Sequence, residues 1–365
     1  MHLEPFQGVF RVRFRIDGIL HHVMTPPPRF RAAIVSRIKI MADLDIAEHR
    51  RAQDGHIRLR SADHEVDVRV ATLPTIFGES VVLRILDRDA STLDLARLGL
   101  DAAALAHFQP ALRAQHGLIL VTGPTGSGKT TTLYAALQTL NTLGVKILTI
   151  EDPVEYRLEG VSQVQVHEEA GRTFATALRS FLRADPDVIM VGKMRDADTI
   201  QAATRAALTG NLVLSTLHAN DGASTVIRLL DMGVPAFLIA DALRLVVAQR
   251  LVRTICAACR EGYEVSADSL EPYGHTPTGH GTYTLFRGRG CPRCDFTGMK
   301  GRVGLYELMP VTRPMRELGK GPTVDEVRAL AREEGMLPLR RAALRKVIDG
   351  ITSVDEVLRV TSDLT

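Results

Sequence analysis

The first residues, Met1-His2-Leu3-Glu4-Pro5, contain no basic start leading into a long apolar run, so no secretory signal is read and a cytoplasmic protein is expected. Long apolar runs are also missing. The most apolar late stretch, residues 234–252, is cut by Asp241, Arg244 and Arg250. It falls short of the ~20 uninterrupted apolar residues that a membrane span requires. An excess of one charge is absent: 45 Lys plus Arg against 42 Asp plus Glu leave a net +3, too little over 365 residues to imply a nucleic-acid or membrane-surface partner. There is no internal repeat, and low complexity is confined to Pro26-Pro27-Pro28, read as a stiff surface turn. Cysteine is scarce, with only four residues. What remains is a soluble globular composition, 45% hydrophobic and 24% charged, and a length that suggests two domains.

Residues 9–16 alternate strictly, with Phe10, Val12, Phe14 and Ile16 on one face and Arg11, Arg13 and Arg15 on the other. That is the period of a half-buried strand, and Asp17-Gly18 supplies its turn. Residues 29–44 carry Ile34, Val35, Ile38 and Met41 at helical spacing, and strands are predicted at 57–59, 65–71 and 80–86. This gives a small α+β domain over 1–90. The chain begins in what reads as the middle of a first strand, so either an incomplete sheet edge or the absence of a preceding segment is expected there. Residues 87–92 read as a linker and 102–115 as a helix leading into a second region, 91–365. There, apolar strands at 118–122, 146–150, 188–191 and 212–216 alternate with turns or helices, the signature of a parallel sheet buried on both faces.

Gly123-Pro124-Thr125-Gly126-Ser127-Gly128-Lys129-Thr130 follows the first of these strands and precedes a helical pattern (Leu133, Leu137, Leu140). The pattern is that of a loop whose backbone amides cradle phosphates, with Lys129 on the β/γ oxygens and Thr130 on Mg²⁺. Thr131 belongs to the same nucleotide-binding set. Ligands of open α/β sheets lie beyond the carboxyl ends of the strands. Glu151-Asp152, Gly192-Lys193 and His218 follow the other three strands and are expected to converge there. On its own residues, His218 either senses the γ-phosphate or caps a strand turn.

Together these residues resemble the secretion-ATPase superfamily, specifically the type II secretion and type IV pilus assembly ATPases. The resemblance runs through the phosphate loop, Ile150-Glu151-Asp152-Pro153-Val154-Glu155-Tyr156, Asp185-Pro186-Asp187-Val188-Ile189-Met190-Val191-Gly192, and Leu214-Ser215-Thr216-Leu217-His218-Ala219-Asn220-Asp221. It extends over the first domain through Arg13-Phe14-Arg15-Ile16-Asp17-Gly18 and Gly78-Glu79-Ser80-Val81-Val82-Leu83-Arg84. It implies a PAS-like N-terminal domain joined to a RecA-like P-loop ATPase domain, ATP with Mg²⁺, and a cytoplasmic homohexamer. The ring would lie peripheral to the inner membrane through an inner-membrane platform protein, and no nucleic acid is expected. It further implies that Arg69 and Arg84 reach the phosphates from the first domain; read without the family, they are solvated strand arginines.

Two departures stand out. Where the family has Gly-Glu, this chain has Gly192-Lys193, a cation in place of the carboxylate expected to orient the attacking water. Asp187 precedes its strand and should lie at the wrong end, which leaves Glu151 and Asp196 as the acidic candidates. Losing a general base costs on the order of 10²–10⁴ in rate, so a hydrolysis-impaired regulatory subunit is the alternative to an active motor. The chain also opens at what matches the middle of the family pattern, without the additional N-terminal domain, which puts adaptor docking in doubt.

Cys256-Ala257-Ala258-Cys259 and Cys291-Pro292-Arg293-Cys294 supply four thiolates in two knuckles, suited to a closed tetrahedral Zn²⁺ within a subdomain over 253–304. The alternatives are free thiols or a redox dithiol. The intervening loop, with Gly274, Gly279, Gly281, Gly288 and Gly290, reads as too polar to hold a core of its own. Arg287, Arg289, Arg293, Lys300 and Arg302 give it a basic flank, read as solvated because no aromatic pattern accompanies it. Apolar spacing at Val324, Val327, Leu330 and Ala331, then Leu344, Val347 and Ile348, predicts packing helices over 322–365.

Overall fold

The computed structural model describes residues 1–61, 64–86, 94–273, 281–317 and 321–362. The linker expected at 87–92 and the glycines Gly274 and Gly279 lie outside the described residues. The chain divides into two compact units, Met1–Ser91 and Thr92–Thr365.

In the first unit, β1 (His2–Phe6), β2 (Val9–Ile16), β3 (Ile19–Met24), β4 (Gln53–Ser61), β5 (His64–Thr75) and β6 (Gly78–Leu86) form one sheet in the order β3-β2-β1-β6-β5-β4, with antiparallel pairings throughout. Strand β1 lies inside the sheet, between β2 and β6. The alternation in β2 acts as the sequence implies near its start, where Phe10 and Val12 are buried, and fades toward its end, where Ile16 is exposed. Helix α1 (Arg31–Met41) buries Val35 against Ile57, Val68, Val70 and Val81. It also fully buries Lys39, which the apolar spacing does not foretell. The Lys39 ammonium is held by the Glu79 carboxylate at 2.5 Å and the Glu48 carbonyl at 2.7 Å, so the buried charge is paired. Arg69 and Arg84 are direct cross-strand partners on β5 and β6, an arrangement of like charges that costs stability in isolation.

The second unit is built on a seven-stranded sheet comprising β7 (Gly117–Thr122), β8 (Ile147–Glu151), β9 (Ser162–Gln165), β10 (Val188–Val191), β11 (Leu212–Leu217), β12 (Leu243–Ile255) and β15 (Met299–Pro310), in the order β15-β12-β7-β11-β10-β8-β9. All neighbours are parallel except β12 and β15. The near-continuous apolar runs are explained by burial on both faces. Leu118, Leu120, Ile150, Ile189 and Val213 point to one layer, packed by α4 (Phe174–Phe181) and α5 (Ala197–Leu208), while Ile119, Val121, Met190 and Leu214 point to the other with α3 (Lys129–Leu140). No helix among the described residues is long and apolar enough to cross a membrane. The interrupted apolar stretch is instead mostly the thirteen-residue β12, which pairs with β7 on one side and β15 on the other.

A two-stranded ribbon, β13 (Arg260–Ser266) with β14 (Thr282–Gly288), projects between β12 and β15. It shares a core with its surroundings rather than holding one of its own. Leu270 and Leu285 are 2% and 1% exposed and join a cluster with Val252, Leu305, Leu344 and Val347. That cluster includes the C-terminal helices α10 (Leu339–Ile348) and α11 (Val354–Thr361).

Candidate nucleotide and metal sites

The carboxyl ends of β7, β8, β10 and β11 bring the predicted residues to one edge. The turn after β7 depends on glycine: Gly123 has φ 143°, and a Cβ there would lie 2.3 Å from the Gln249 carbonyl oxygen of β12. Gly128 caps α3 in the left-handed region at φ 87°. Two glycines therefore let the loop fold tightly over β12 and open into the helix N-terminus. Pro124, Thr125 and Gly126 form its exposed rim, and Thr130 and Thr131 are half-buried in the first turn of α3. The Lys129 ammonium is held within the loop by the carbonyls of Gly123 (2.8 Å) and Pro124 (2.9 Å). Burial, then the charges of Arg250 and Lys193, pushes it down to about 8. The Ser127 hydroxyl oxygen is buried without a hydrogen-bond partner. A cationic, amide-rich cradle with an unpartnered buried hydroxyl fits a phosphate chain.

His218 is held below its ordinary value by burial and by Lys129, with Arg195 and Lys193 adding to this, while a hydrogen bond to the Gly123 backbone works the other way. Lys193 is half-buried just past β10, and its ammonium lies 3.5 Å from the Asp152 carbonyl oxygen. Lys129, Lys193 and His218 thus lie close enough to influence one another.

The acidic residues are differently placed. Glu151 is 2% exposed and accepts hydrogen bonds from the Tyr134 hydroxyl, the Thr149 hydroxyl (2.6 Å) and the Gln163 amide (3.1 Å). Burial raises its pKa against those donors. Tyr134 also accepts from the amides of Glu155 (3.1 Å) and Tyr156 (3.4 Å), and Gln163 donates to the Tyr156 carbonyl at 2.9 Å. Glu151 is therefore the anchor of the 152–158 loop rather than an open base. Asp196 is equally engaged, capping α5 through the Thr199 amide and hydroxyl, both at 2.8 Å. Asp187 lies at the far end of β10, accepting from the Lys146 amide at 2.7 Å. A divalent ion bound with nucleotide usually draws on one or two carboxylates beside the phosphates. Here Thr130 offers a neutral hydroxyl, Asp152 is exposed in the acidic box, and Lys193 places an ammonium beside them.

Sequence reading missed Tyr134, Gln163, Gln249 and Arg250. Gln249 accepts from the Thr132 hydroxyl at 2.9 Å, and the buried Arg250 reaches the Asn220 carbonyl at 3.1 Å behind the phosphate loop. Their one visible signal is a polar pair inside an apolar strand. Arg69 and Arg84 belong to the first unit, on β5 and β6.

The four cysteine sulfurs all lie within 4.8 Å of one another. Cys256–Cys291 and Cys259–Cys294 are 3.9 Å apart and Cys291–Cys294 is 3.7 Å. A tetrahedron with Zn–S bonds of about 2.3 Å has edges of about 3.8 Å, so the thiols fit that ion. Burial opposes the ionisation of Cys294, yet the amides of Cys291 and Gly298, each 3.3 Å from its sulfur, draw its thiol down to about 6. Burial and the neighbouring thiols push Cys259 up to about 11. One thiolate beside several thiols is what a bound cation would complete.

A parallel sheet with a strand, a glycine-rich phosphate loop and a helix at its carboxyl edge defines a P-loop protein of the α/β class. The pattern of the family described as "Type II/IV secretion system protein" matches residues 1–359, and the chain belongs to that family. It is 49% identical over 365 residues to the type IV pilus assembly ATPase PilB of Myxococcus xanthus, covering 99% of this chain and 64% of that relative's length. It is 48% identical over 364 residues to the type II secretion system protein E of Pseudomonas aeruginosa, covering 100% of this chain and 72% of the relative. The chain thus spans a little under two thirds of the length of the pilus assembly relative. Among solved structures, the ATPase DotB of Yersinia pseudotuberculosis superposes with a TM-score of 0.72 at 21% identity, covering 99% of this chain and 89% of that one. The pilus retraction motor PilT with bound ADP gives 0.64 at 24% identity, covering 98% and 92%. These two establish the likeness of fold.

Proposed function

We propose that this chain is a nucleotide-binding subunit of a type II secretion or type IV pilus assembly machine in which ATP hydrolysis is slow. The observation that carries this reading is Lys193, an ammonium on the edge where a water-orienting carboxylate is needed, with Glu151 and Asp196 both committed to hydrogen bonds within the fold. The subunit would act in a homohexameric, cytoplasmic ring against an inner-membrane platform protein. Nucleotide binding would draw the first unit, PAS-like in this reading, toward the RecA-like second unit. Arg69 and Arg84, cross-strand neighbours on β5 and β6, would then reach the phosphates. Gly123 to Thr131 would hold the triphosphate, Lys129 would neutralise it, and His218, held below its ordinary pKa by burial and Lys129, would respond to the terminal phosphate. The cysteines would hold Zn²⁺ as a structural ion that fixes the β13–β14 ribbon beside β12.

The test is ATP turnover of the unaltered chain beside Lys193→Glu, with oligomer size recorded for both. The substitution should raise turnover by about 10²-fold or more without changing the oligomer. Rapid turnover by the unaltered chain, unimproved by the glutamate, would refute the slow-hydrolysis reading and leave an active motor.

A further inference from the structure

Lys193 is not a surface lysine on a loose loop. Strand β10 lies between β8 and β11, with Val191 opposite Ile150 and Ser215. Beyond it the backbone is pinned on both sides: the Gly192 amide donates to the Ile150 carbonyl at 2.8 Å and the Met194 amide to the Thr216 carbonyl at 3.1 Å. The Gly192 carbonyl in turn accepts from the Thr216 hydroxyl at 2.8 Å. The root of the side chain is therefore fixed between the acidic box and the strand leading to His218. Its own tether is weak, a single contact of 3.5 Å to the Asp152 carbonyl, which is at the outer limit of a hydrogen bond. An ammonium has three donors and rotates freely on its stem, so it retains the capacity to bind oxygens of a phosphate chain.

Three of the carboxylates near this edge are meanwhile engaged. Glu151 accepts from three side chains, and Asp196 caps α5. Asp221 caps α6 (Gly222–Asp231) and pairs with Arg328 at 2.7 Å. Asp152 follows in the box itself with its side chain exposed, and Lys193 faces its carbonyl oxygen. A dication entering here meets the Lys193 ammonium, whereas a polyanion meets Lys129 and Lys193 together. We infer that this site binds the metal-free nucleoside triphosphate, Lys193 supplying at the phosphates the positive charge that a divalent cation supplies in other P-loop proteins. This rests on the nucleotide-binding part of the proposed function, and it does not require hydrolysis.

The experiment is equilibrium binding of a fluorescent N-methylanthraniloyl ATP probe to the full chain, in Mg²⁺ and in EDTA, for the unaltered protein, Lys193→Glu and Lys193→Met. The unaltered protein should bind at least as tightly in EDTA as in Mg²⁺. Lys193→Met should lose about tenfold in EDTA, and Lys193→Glu should bind about tenfold more tightly in Mg²⁺ than in EDTA. Unaltered protein that binds about tenfold more weakly in EDTA overturns the inference while leaving nucleotide binding intact. Absence of binding in both buffers overturns the inference and the nucleotide-binding reading together. A slow-hydrolysis reading that fails on turnover leaves this comparison standing. The two-buffer measurement on unaltered protein decides the matter even where a variant does not fold.

Discussion

The phosphate-loop edge and the cysteine module both concentrate like groups, but of opposite sign. At the strand ends Lys129, Lys193, Arg250 and His218 gather around a loop with an unpartnered buried hydroxyl, and Lys129 sheds its proton more readily for it. At the knuckles four sulfurs converge within 4.8 Å of one another, and one of them, drawn down by two backbone amides, ionises at about 6. Concentrated positive charge calls for an anion and concentrated thiolate calls for a soft cation. The fold thus declares the ligand class of each region through the charge it concentrates there.

The strongest way to break the comparison is to remove one sulfur. Cys294→Ser should take bound zinc from about one ion per chain to less than about a tenth, measured by metal analysis of the purified protein. Amide exchange should then rise throughout the β13–β14 ribbon while the phosphate edge keeps its protection. Full metal content in the variant would remove the cation side of the argument. Complete loss of exchange protection in the ribbon is not expected, because Leu270 and Leu285 hold it to the C-terminal helices independently.

Those helices are tied down by a carboxylate. Glu356, 1% exposed, accepts from the Arg253 amide (3.0 Å) and guanidinium (2.8 Å) and from Arg359 at 2.6 Å. Burial works against its ionisation, but these donors hold it at about 2, below the ordinary 4.5. Its stabilising contribution is therefore fully present above about 4.5 and is lost as the pH falls through about 2. Glu356→Gln should cost about 3 kcal/mol at neutral pH by denaturant unfolding and should lessen the acid sensitivity of the unaltered chain in that window. An equal acid slope in both proteins would place the sensitivity elsewhere.

How much of this was legible in sequence follows from the same contrast. The phosphate loop, the four short parallel strands and the paired knuckles carry their chemistry in local spacing, and each lies at or near its expected residues. Strand β12 does not announce itself. Its apolar run carries Arg244 and Arg250 without period-2 order, because it is buried on both faces and one arginine is folded behind the phosphate loop. Tyr134 was hidden for a related reason. On a helix it looks like one more core aromatic, and only tertiary structure shows that its hydroxyl meets Glu151, seventeen residues away. Lys193 was visible as a departure from the family pattern, but the commitment of Glu151 and Asp196 that gives it weight depends on partners that no spacing reveals.

The subtlest test concerns the polar network that holds the acidic box beside the basic edge. Tyr134→Phe removes one donor to Glu151 and the shared acceptor of the Glu155 and Tyr156 amides, yet the ring keeps its edge-on packing against Tyr156 at 5.5 Å. Thr149 and Gln163 still satisfy the carboxylate, so the loss should be that of two backbone amides seeking water, about 1–2 kcal/mol by denaturant unfolding. Amide exchange should accelerate at Glu155 and Tyr156 and remain unchanged at the cysteine module. Equal acceleration in both regions would mean that the second unit opens as a whole and that the two ligand-calling clusters are not held by separate networks.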